Sequence, residues 1–106
     1  MTDAIQVSTT AASEDAAWAL VESMVMAKLA AGGQVHGPVR SAFWHEGEYG
    51  TGEEWQVLLK TTARRYGELE AQLRAEHAWS NPEITAVPIT HASADYLRWL
   101  STTLAV

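Results

Sequence analysis

Two residues set the chemical question. His77 stands where an apolar spacing of threes and fours runs out, and a neutral imidazole there can offer a nitrogen lone pair to a metal ion. Glu54 opens a strand-forming run and can add a carboxylate oxygen, a donor pair that holds Cu(II) above Zn(II). A tight copper or zinc centre takes three or four protein ligands, so this pair needs further oxygens from water or a neighbouring subunit. A simpler explanation of His77 is the favourable interaction of a charged imidazole with a helix C-terminal dipole, without any metal. His36, His45 and His91 show no HxxxH or HxH spacing and add little to a metal reading. Lys60, Trp79 and Glu83 are expected at element ends gathered on one edge, where they line a cleft beside His77 suited to a small anion or metal chelate. Lys60 and Glu83 also fit an ion pair across neighbouring strands, worth under about 1 kcal/mol if exposed. Trp79 equally fits a core or interface anchor.

The elements that must position these residues can be read from periodicity. Residues 4–10 alternate as a short strand, and Ser13 followed by Glu14 and Asp15 offers a helix N-cap with acids in the first turn. Ala17, Leu20, Val21, Met24, Val25 and Leu29 form one apolar stripe, predicting a helix that persists until Gly32 and Gly33. Residues 34–45 read as one long, bent strand with Val35, Val39 and Phe43 alternating, in which Gly37 and Pro38 argue for a bulge or an edge position. Residues 46–52 are rich in turn formers and predict a hairpin connection with a mobile tip. A central strand over 54–60 follows, and Thr61 or Thr62 is expected to cap a second helix whose stripe is Tyr66, Leu69, Leu73 and His77. Pro82 ends that helix; residues 83–90 form a last strand pushed to an edge by Pro88, and Ser93 caps a short final helix. The order strand, helix, strand, strand, helix, strand predicts an α+β, ferredoxin-like split βαβ domain over residues 1–106, with an antiparallel sheet and a short C-terminal helix.

Composition narrows the partners. Thirteen acids against seven bases leave a net charge of −6, and no cluster of Lys and Arg could track phosphates, so nucleic acid is not expected. No basic leader and no long apolar run appears, predicting no membrane association and a cytoplasmic protein. With no cysteine, thiolate metal sites are closed. Nucleophile-elbow, phosphate-loop and metalloprotease patterns are absent, which predicts no catalysis and no organic cofactor. Five tryptophans in 106 residues exceed what a small core houses easily and point to apolar surface shared between subunits.

Three segments carry a family resemblance. They are Glu54-Trp55-Gln56-Val57-Leu58-Leu59-Lys60-Thr61-Thr62, His77-Ala78-Trp79-Ser80-Asn81-Pro82-Glu83-Ile84, and Tyr96-Leu97-Arg98-Trp99-Leu100. In this order they resemble the CutA divalent-cation tolerance family, across residues 5–104. The resemblance implies a compact homotrimer, a non-enzymatic role in tolerance to copper or a similar divalent cation through weak binding, and metal contact at Glu54 and His77. Two positions depart from the family pattern: Gly32 stands where relatives carry a thiol, and His45 where they carry tryptophan, with Trp44 shifted by one. An alternative implied by fold analogy is a PII-like trimeric small-molecule sensor, or a structural scaffold for an unknown protein partner, whose loop 46–53 would respond to ligand.

Overall fold

The computed structural model describes residues 2–105. Its elements run β1 (Ala4–Ala11), α1 (Glu14–Met26), β2 (Gly32–His45), β3 (Glu48–Thr62), a single 3-10 turn at 63–65, α2 (Tyr66–Glu76), β4 (Thr85–Pro88) and α3 (Ala94–Leu104). All strand pairs are antiparallel in the order β2-β3-β1-β4, the ferredoxin-like arrangement expected from the sequence. α1 and α2 cover one face. From them Leu20, Val21, Met24, Leu69 and Leu73 bury against Val7, Val57 and Leu59 of the sheet. On the opposite face α3 packs at one end, through Leu100 and Leu104 against Ala4 and Ala31. Arg65 fastens that helix by donating from its guanidinium to the Leu104 carbonyl at 2.7 Å, a cation on a helix C-terminus. Among the described residues no helix is long and apolar enough to cross a membrane.

The predicted caps at Ser13 and Ser93 form, their hydroxyls accepting from the Ala16 and Tyr96 amides at 3.1 and 3.2 Å. The first helix, however, stops at Met26, well before the two glycines. Lys28 takes a left-handed conformation (φ 57), while the Lys28 and Leu29 amides bond back to the Val25 and Met24 carbonyls at 3.0 Å each. This is a Schellman ending built on lysine, so no glycine announces it. A Cβ is disfavoured in that region, and Lys28→Gly is expected to stabilise the fold by about 0.5–1 kcal/mol, read as a higher urea midpoint.

The region expected to be a mobile loop is instead ladder. β2 and β3 pair out to His45 and Glu48, joined only by Glu46 and Gly47, both at positive φ (51 and 82), the signature of a tight type I′ turn. Gly50 lies opposite Phe43, and a Cβ there would come 2.8 Å from the Phe43 ring, so this glycine serves as a seat for the aromatic and not as a turn. The resulting hairpin stretches the molecule to 44 × 25 × 22 Å. At its root, Gly37 and Pro38 together oppose Trp55 between the pairs His36 with Gln56 and Val39 with Glu54. The extra residue reverses facing: Val35 lies on the helix side with Val57, but Val39 and Phe43 lie on the open side with Glu54. A simple alternation across 34–45 therefore fails at the bulge.

Two threonines behave differently from expectation. Thr61 caps no helix and donates to the Leu29 carbonyl at 2.7 Å, and Thr62, which precedes the 3-10 turn, makes no side-chain cap bond. The last strand is shorter than 83–90, pairing only from Thr85 to Pro88, because Pro82 and Pro88 bracket the segment that can join a ladder. Thr9 is 1% exposed on the helix side of β1, and its hydroxyl lacks a partner among the described residues. Thr9→Val keeps the shape and removes the unpaired group, and is expected to raise unfolding free energy by about 1–2 kcal/mol in a denaturant titration.

Candidate functional site

Alternation along the central strands places Thr10, Glu54 and Gln56 side by side on the open face, since Thr10 pairs with Gln56 and Glu54 lies two residues further along the same strand. The segment 78–83, leaving α2, forms the facing wall. Between them and the outer half of β2 lies an open cleft of about 920 Å³, lined by Glu54, Gln56, Thr10, Phe43, Trp79 and Glu83 among others. Glu54 is half-buried, and among the described residues neither it nor Glu83 has an ion-pair partner. The cleft thus offers two uncompensated carboxylates beside aromatic faces, a setting that favours a cation.

Lys60 does not share this cleft. It lies six residues along β3 from Glu54, roughly 20 Å away for extended chain, opposite Gln6 and Gly32, with its carbonyl accepting from the Ala31 amide at 2.9 Å. An ion pair with Glu83 does not form. Lys60 does lie near the end of its strand, but Glu54 sits midway along the fifteen-residue β3 and not at its start, so the two do not share an element end.

His77 lines a different space from Glu54. α2 ends at Glu76, and His77 turns into extended backbone (φ −71, ψ 140). Its Nε2 lies 2.7 Å from the Thr10 carbonyl oxygen, and its Nδ1 lies 3.1 Å from the Trp79 amide nitrogen. A carbonyl only accepts and an amide N–H only donates, so the imidazole is neutral with its proton on Nε2 and its lone pair on Nδ1 already engaged. Its ring lies 5.1 Å from that of Trp79, centroid to centroid. Together with Ala16, Leu20 and Trp79 it lines a second, smaller notch of about 190 Å³ on the helix side. Ala78 and Trp79 border both spaces. β4 begins only opposite Ser8, which leaves the edge of β1 beyond it unpaired, and His77 takes up the Thr10 carbonyl there.

No three His, Cys, Asp or Glu side chains gather closely enough to hold a metal among the described residues. Glu54 and His77 therefore have no third ligating side chain beside them among the described residues. Thr10 and Gln56, absent from the sequence-based site, join it through strand register, for which the sequence carries no direct signal.

The profile of the family described as CutA1 divalent ion tolerance protein matches residues 5–103. The chain belongs to that family. A CutA1 relative from Citrobacter koseri, named divalent-cation tolerance protein CutA, is 33% identical over 102 residues, covering 96% of this chain and 89% of its own. The crystal structure of CutA from Xylella fastidiosa superposes with a TM-score of 0.93 at 26% identity, covering 97% of this chain and 99% of that one. The divalent cation tolerance protein of Thermus thermophilus does so with a TM-score of 0.89 at 31% identity, covering 92% and 94%. The CutA1 match spans all three segments that carried the resemblance, from the Glu54 strand to the C-terminal helix.

Proposed function

We propose that this CutA1 protein is a non-catalytic homotrimer that contributes to divalent-cation tolerance by weak binding of copper or a similar ion in the cleft beside Glu54. The observation that carries the reading is the half-buried, unpaired Glu54 carboxylate in an open cleft of an acidic protein. One carboxylate cannot complete a coordination shell, so water and a neighbouring subunit would supply the remaining oxygens. Trimerisation is supported by the aromatic surface of the hairpin, where Trp44 and Tyr49 are 74% and 64% exposed and stack edge to face on each other. The bare edges of β2 and β4 are further surfaces that a second copy can cover. Family names that speak of tolerance, and of no reaction, agree with the absence of catalysis. A sensor of PII type loses its expected moving part, because residues 46–53 are hairpin and not loop.

Calorimetric titration with Cu(II) tests the reading: Glu54→Gln is expected to weaken binding about tenfold, the loss of one charged ligand at roughly 1.4 kcal/mol. Unchanged affinity would remove Glu54 from the site. Light scattering at micromolar concentration should return the mass of three chains, and a folded single chain would end the trimeric part.

A further inference from the structure

We infer that His77 is a positioning residue that holds Trp79 and the 78–83 segment as a wall of the cleft, and that it is not a ligand of the divalent cation. The inference rests on the cation-binding reading above only for the ion it excludes from His77. Three features carry it. Both ring nitrogens are spent: Nε2 donates to Thr10, sixty-seven positions away in sequence, and Nδ1 accepts from the Trp79 amide two residues on. A neutral imidazole has a single lone pair, so coordination would strip the Trp79 amide of its acceptor or force the ring to abandon Thr10. His77 also lines the helix-side notch, whereas Glu54 lines the cleft, and Trp79 borders both.

The same bonds explain what His77 accomplishes. Immediately after α2 the chain must turn towards β4, and the two bonds pin this turn to the end of β1, whose Thr10 also lines the cleft. The bond from the i+2 amide is the one an Asx turn makes with a side-chain carbonyl. Asparagine at this position would reproduce it while removing the imidazole.

The test uses the full chain labelled with 15N. Long-range proton–nitrogen spectra should show the proton of His77 on Nε2, and addition of Zn(II), which is diamagnetic, should leave both ring-nitrogen resonances in place. Hydrogen exchange at the Trp79 backbone amide should quicken at least tenfold in His77→Ala and stay within about threefold in His77→Asn. A ring-nitrogen resonance that moves with Zn(II) would overturn the proposal. So would unchanged exchange in His77→Ala. Should the original protein bind neither Zn(II) nor Cu(II), the cation reading fails by itself, and the Nε2 tautomer with the exchange pattern still decides the role of His77.

Discussion

Leu59→Ala is expected to lower unfolding free energy by about 3–4 kcal/mol and the melting temperature by roughly 15 °C. Leu59 is fully buried at the middle of the sheet, on the face that receives α1 and α2, and belongs to the core with Val21, Leu69 and Leu73. Truncation removes its transfer free energy and leaves a hole that a central strand cannot collapse to fill. The comparison must be made at one protein concentration, because self-association, where it occurs, adds to the apparent melting point by mass action. A loss below about 1 kcal/mol would show that the helices settle onto the sheet more freely than this packing implies.

Gly33→Ala is expected to cost about 1–3 kcal/mol, although alanine ordinarily gains over glycine through the unfolded chain. A Cβ on Gly33 would stand 2.7 Å from Leu59 Cδ2 and 3.0 Å from Val21 Cγ1. Both neighbours are buried, and neither has open space into which to retreat. The two substitutions are coupled through one contact: Leu59→Ala deletes the methyl that obstructs Gly33. The double variant should therefore be more stable than the sum of single losses implies, by about 1 kcal/mol or more in a double-mutant cycle. Strict additivity would mean that Gly33 owes its place to something other than the close approach of α1 and the sheet.

Gly33 also shows where sequence reasoning reached its limit. As a sequence, Gly32-Gly33 reads as the end of a helix, because glycine breaks helical periodicity wherever it stands. In the structure the pair lies within β2, and the helix has already ended at a lysine held in the left-handed region by its two backbone bonds. Gly50 raises the same ambiguity: glycine in a turn and glycine beneath an aromatic ring are one letter, and only the register opposite Phe43 tells them apart.

By itself the sequence determined the kinds of element, their order, the caps at Ser13 and Ser93 and the ferredoxin-like class, since these follow from side-chain spacing and local hydrogen bonds within a few residues. It also brought forward Glu54, Trp79 and Glu83, which the fold gathers on one cleft. Tertiary structure alone decided that Lys60 stands apart, that the bulge at Gly37 and Pro38 turns Val39 towards Glu54, and that the His77 imidazole is occupied by Thr10 and Trp79. The reason is common to all three: facing and hydrogen-bond occupancy depend on which strand lies alongside and in what register, and that pairing joins residues far apart in the chain.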